Sequence, residues 1–79
     1  MFTIKVILKD GSEFLKSDVT SVAFNPPIQE TGKSALLFIW YLREPAETLY
    51  SGKIYVMNEN GKTVGDYHLF SNHIGKDIL

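Results

Sequence analysis

Asp66 and His68 stand two positions apart, and His73 follows five residues later. On a strand, residues two apart share a face. An aspartate beside a histidine can orient the imidazole as a general base, and two histidines with a carboxylate can hold a metal ion. The spacing fits no established ligand motif, so the expectation is polar residues on an exposed strand face. Gly32-Lys33-Ser34 reads like the end of a phosphate-binding loop. That loop needs a glycine five positions before Gly32, where Pro27 stands. It also needs a helix behind it to hold the phosphate, and an apolar strand is expected there instead. These residues are read as a turn before a strand.

Other chemistry is thinner still. The chain has no cysteine, which removes thiolate nucleophiles, disulfides and cysteine-type zinc sites together. No serine stands in a strained-elbow sequence. Glu44 and Glu47 flank Pro45 in a polar stretch that reads as a solvated turn. Glu59 and Lys62 are expected to pair across a hairpin tip, an exposed ion pair worth under about 1 kcal/mol. No catalytic residue, metal site or cofactor site is expected, and the chain is read as a non-enzyme.

The elements that would position these residues are strands. Phe2, Ile4, Val6 and Leu8 alternate with Thr3, Lys5, Ile7 and Lys9, the two-residue period of a half-buried strand. Asp10-Gly11 follows, a pair favoured in tight hairpins because glycine accepts positive φ. With a loop of Lys9-Asp10-Gly11, Val6 falls opposite Phe14, and the return strand runs over 12–16. Ser17-Asp18 is read as an interruption before a third strand over 19–24. Asn25-Pro26-Pro27 ends that strand, since two prolines remove two ladder donors. Residues 25–33 form the longest irregular stretch, closed by Gly32. A strand is expected over 35–42, one helical turn near 43–47, and a long strand over 48–57 with a bulge or bend at Ser51-Gly52. Asn60-Gly61 marks the second hairpin, leading into a strand over 62–70. As a two-residue turn it pairs Met57 with Val64, Tyr55 with Asp66 and Lys53 with His68; a slip of one residue would reverse the faces. Residues 71–79 are read as a short helix capped by Ser71, or as a loose tail.

The chain has 79 residues, enough for one domain spanning 1–79. A domain of this size has little margin against the entropy of ordering, and with no cysteine it depends on an efficient core or on self-association. Hydrophobic residues make up 44% and aromatics 13%, the composition of a globular chain. Eight Lys+Arg against nine Asp+Glu leave a net charge of -1, too little field to hold nucleic acid or an anionic membrane, and little repulsion between copies. The longest apolar run is far short of a bilayer span, and the alternating start does not read as a secretory signal. The cytoplasm is the expected compartment. The fold class is all-β: a small antiparallel barrel or two-layer sandwich of five to six strands in mainly meander order.

The run over 35–42 is the most informative. As a strand it sends Leu36, Phe38, Trp40 and Leu42 to one face and Ala35, Leu37, Ile39 and Tyr41 to the other. Small antiparallel sheets usually bury one face and wet the other, yet both faces here are apolar and no long amphipathic helix is available as a cover. The second face is expected to meet the C-terminal tail or the 25–33 loop, a second copy of the chain, or a different protein. Phe38, Trp40, Tyr41, Leu37 and Ile39 are the candidate interface residues, because aromatics dominate interface energetics. The expected function is a small non-catalytic protein-interaction module, a homodimer or a binder of another protein. The alternative is a small barrel that binds single-stranded nucleic acid, with Lys5, Lys9 and Lys16 beside Trp40, Tyr50, Tyr55 and Tyr67 as stacking platforms.

Overall fold

The computed structural model describes residues 1–70, with the backbone alone at Phe70. These residues form an all-β domain of six antiparallel strands: β1 (Phe2–Ile7), β2 (Glu13–Asn25), β3 (Leu36–Tyr41), β4 (Glu47–Leu49), β5 (Ser51–Met57) and β6 (Thr63–Phe70). Their order in the single sheet is β4-β3-β2-β1-β5-β6.

The first hairpin forms in the expected register, with Val6 opposite Phe14. Gly11 takes φ 89, which its missing side chain permits, and its amide bonds to the Leu8 carbonyl at 2.9 Å. The Asp10 carboxylate braces the tip by accepting from the Ser12 amide at 2.9 Å and the Ser12 hydroxyl at 2.6 Å. Those bonds hold the Asp10 carboxyl below the ordinary carboxylate range. The second hairpin has the same form. Asn58 donates to Lys62 at 2.9 Å and Gly61 to Asn58 at 3.0 Å, so the loop is Glu59-Asn60-Gly61 instead of the two-residue Asn60-Gly61 turn. The extra residue is absorbed by a bulge at Val64. Met57 therefore faces Thr63, not Val64, while Tyr55–Asp66 and Lys53–His68 pair as expected. Glu59 is turned away from the expected Lys62 and meets the α-amino group of Met1 at 3.1 Å.

Two further expectations are corrected. Residues 12–16 and 19–24 do not make separate strands. β2 runs through Ser17-Asp18 as one strand, bent where its register shifts against β1 and again against β3. Asp18 sits at φ 57, a left-handed conformation that aspartate tolerates better than most residues, and its carbonyl accepts from the Leu42 amide at 2.9 Å. The strand expected over 48–57 divides in the opposite sense. β4 pairs with β3, β5 pairs with β1, and Tyr50 alone joins them. Gly52 (φ 114) is the second residue of β5, and a Cβ there would meet the Ile7 carbonyl at 3.2 Å. Residues 42–44 form bends and Glu47 already belongs to β4, so the helical turn expected near 43–47 is absent; the helix or loose tail expected over 71–79 lies outside the described residues.

These two corners fold the sheet over on itself. The first part of β2 pairs with β1, the second part with β3, and the β4–β5 joint carries the chain back from β3 to β1. Ile4, Val6, Val19, Leu37, Ile39, Tyr41, Ile54, Val56 and Leu69 thereby meet in one buried cluster. The sheet does not close, because no ladder joins β6 to the second part of β2. The 25–33 stretch is partly ordered by its own hairpin, in which Ile28 and Lys33 exchange bonds of 3.0 and 3.1 Å.

Candidate interaction surface

β3 sits between β2 and β4, so its two faces are sharply defined by strand alternation. Leu37 and Ile39 are 0% exposed and Tyr41 is 9% exposed. These three of the five candidate interface residues belong to the interior, where no partner reaches them without opening the fold. Phe38 and Trp40 point outward. Phe38 is half-buried and Trp40 is 40% exposed, and their rings lie 5.9 Å apart at a tilt of 37°. Ser21 and Ala23 of β2 stand opposite Trp40 and Phe38, and Thr48 of β4 flanks Phe38 on the other side. The outward face of β3 thus presents two aromatic rings among small, uncharged neighbours. The Thr20 hydroxyl donates to the Trp40 carbonyl at 3.0 Å and fixes the strand at the bulge beside the indole.

Beneath this face lies a polar cluster that sequence spacing did not indicate. The Tyr41 hydroxyl donates to the Glu47 carboxylate, and Lys16 Nζ stands 3.8 Å from the same carboxylate and 5.7 Å from the Tyr41 ring centroid. Burial, then the adjacent carboxylate, pushes the Tyr41 phenol well above its ordinary value. A phenol made harder to ionise is no general base, and the cluster reads as a clasp between β2, β3 and β4. Glu47 was expected in a solvated turn. Its pairing with Tyr41 depends on a corner that only the tertiary fold creates.

The residues with chemical potential are dispersed. Asp66 and His68 share the outward face of β6, opposite Tyr55 and Lys53, and the Tyr55 and His68 rings meet edge-on at 6.4 Å. His73 lies outside the described residues. Among the described residues no group of three or more His, Asp or Glu side chains is placed to hold a metal ion. Lys33 follows Gly32 at a hairpin tip, with a strand after it. Two of the three lysines of the nucleic-acid alternative are engaged by carboxylates: Lys5 meets Glu13 at 3.3 Å and Lys16 meets Glu47 at 3.8 Å. Trp40 and Tyr55 stand on β3 and β5, which are not neighbours in the sheet. No described helix is long and apolar enough to cross a membrane.

No protein-family model matches the chain, and no curated protein and no solved structure matches it.

Proposed function

We propose that this chain is a small, non-catalytic protein-interaction module of the cytoplasm that acts as a homodimer through the outward face of β3. The observation that carries the reading is the pair Phe38–Trp40, two rings in contact on an uncharged face with the indole 40% exposed. A large aromatic that folding leaves in water is the side chain whose burial contributes most at an interface. A second copy is favoured as the occupant because closed symmetric dimers are the commonest assemblies of such domains and a net charge of -1 opposes pairing little.

Light scattering coupled to gel filtration, over a range of concentrations, tests it. The expected mass is twice that of the chain, reverting to one chain in Trp40→Ser without loss of the β-sheet circular dichroism. A single-chain mass at every concentration overturns the dimer.

A further inference from the structure

β4 and β5 follow each other in the chain but do not pair. Tyr50 alone separates them, yet the order β4-β3-β2-β1-β5-β6 puts three strands between their places in the sheet. Among the described residues every other consecutive pair of strands shares a ladder. The chain makes this corner at a strand-favouring tyrosine, 55% exposed, where the two hairpin loops use Asp-Gly and Asn-Gly. Gly52 completes the corner at φ 114, a conformation that suits glycine and few other residues. Beyond it, β5 and β6 form a hairpin of their own, paired from Ser51–Phe70 to Met57–Thr63. A ladder of five pairs, from Thr3–Met57 to Ile7–Lys53, ties that hairpin to β1. Ile54, Val56 and Leu69 seat it in the core, and the Phe24–Tyr67 stack holds its far side.

We propose that two copies of this chain exchange the β5–β6 hairpin, so that β5 of each copy pairs with β1 of the other. The partner's fit needs no new surface, because the incoming hairpin is the same segment that β1 already holds. Straightening Tyr50 to Gly52 joins β4 and β5 into one strand over 47–57, close to the strand over 48–57 that residue spacing predicts. An extended strand also asks no positive φ of Gly52. The exchanged form keeps the β1–β5 ladder, the core seats and the Phe24–Tyr67 stack, each now made between copies. What differs is the joint, together with the entropy of bringing two chains together, which concentration offsets. A short joint favours exchange because few residues can absorb the corner, whereas a longer one lets the hairpin fold back onto its own chain. The exchange does not rest on the outward face of β3, so either proposal can fail while the other stands.

The chain has no cysteine, so an engineered pair reports the pairing without interference. Lys5 and Tyr55 stand opposite each other, within the Cα separation that a disulfide spans. The double variant Lys5→Cys/Tyr55→Cys is refolded at low and at high concentration, oxidised, and run on a non-reducing gel. Exchange predicts a disulfide-linked double mass whose share rises with the refolding concentration. The single variants Lys5→Cys and Tyr55→Cys, each with the circular dichroism of the parent, are also mixed before refolding. Mass spectrometry should then find the mixed disulfide in excess over either self-pair. Insertion of three glycines between Tyr50 and Ser51 of the double variant should return the product to single chains. A disulfide within one chain at every concentration overturns the exchange; a double mass by light scattering in that same sample leaves the β3-face dimer standing. Self-pairs as abundant as the mixed pair, or linkage indifferent to the inserted glycines, overturn it as well, since both mark chance contact between surface cysteines.

Discussion

The ring of Phe24 in β2 stacks on that of Tyr67 in β6 at 5.3 Å, with 27° between the ring planes, and no hydrogen-bonded ladder joins these two strands. This contact closes by side chains a sheet left open by its backbone. Removing either ring should therefore loosen the β2–β6 junction more than it disturbs the core. In a double-mutant cycle of Phe24→Ala and Tyr67→Ala, a coupling of about 1 kcal/mol is expected, the usual worth of an aromatic pair beyond its buried area. Urea unfolding of the four proteins measures it. A coupling of zero would mean that the rings are adjacent without supporting each other.

The bend of β2 makes a second, sharper claim. Asp18 at φ 57 lies at the corner where the strand leaves β1 and joins β3, and its carbonyl holds the Leu42 amide. Asp18→Gly should be close to neutral, because glycine adopts this conformation freely. Asp18→Val should cost roughly 1–2 kcal/mol, since a β-branched residue resists left-handed backbone. Thermal unfolding of the two variants is the check. Equal stability would show that the corner relaxes to an extended form.

Much of this architecture is legible in residue spacing, and what is not has a local cause. Alternation over Phe2 to Leu8 and the glycines at 11 and 61 place both hairpins, because period and turn chemistry are short-range properties. The first register follows from a three-residue loop. The second came out displaced near its tip because Asn58 also belongs to the turn, accepting at its side chain from the amides of Asn60 and Lys62. Five to six strands are expected and the described residues hold six, with different boundaries. Ser17-Asp18 looks like a break but is a corner, and 48–57 looks continuous but changes partner at Tyr50. A strand that bends and one that stops have similar local sequence; long-range pairing decides between them. The same limit hid the Tyr41–Glu47 clasp and the Phe24–Tyr67 stack. The split of the 35–42 run into inner and outer faces was readable, but which face is interior depends on neighbours far along the chain.

Ile39 and Trp40 are adjacent and should respond to mutation in opposite ways. Ile39 is fully buried, and Ile39→Ala should cost about 2–5 kcal/mol through lost burial and the cavity left behind. Trp40→Ser removes a ring that folding leaves partly in water, so the single chain should lose less stability while the assembled mass halves. Denaturant melts at a concentration where the chain is dissociated, paired with light scattering at a higher one, separate the two effects. If Trp40→Ser destabilises the dissociated chain as much as Ile39→Ala, the outward face of β3 is serving the fold and not an interface.

The Tyr41 phenol gives the fold a dependence on alkaline pH. In the unfolded chain it ionises near its ordinary value of 10.0; in the folded chain, burial and the Glu47 carboxylate keep it protonated beyond that. Above pH 10 the unfolded state therefore binds fewer protons than the folded one, and stability falls as pH rises. Tyr41→Phe lacks this titration. At pH 8 the variant should be less stable by about 1.5 kcal/mol, having lost a part-buried hydrogen bond to a charged acceptor. The deficit should shrink, pH by pH, between 9 and 11, as wild-type stability declines while the variant is spared this one contribution. The two proteins differ by this one hydroxyl, so the difference between them isolates it. Urea midpoints measured in parallel across that range provide the test, and a deficit that stays constant would mean that Tyr41 ionises as readily in the folded chain as in the unfolded one.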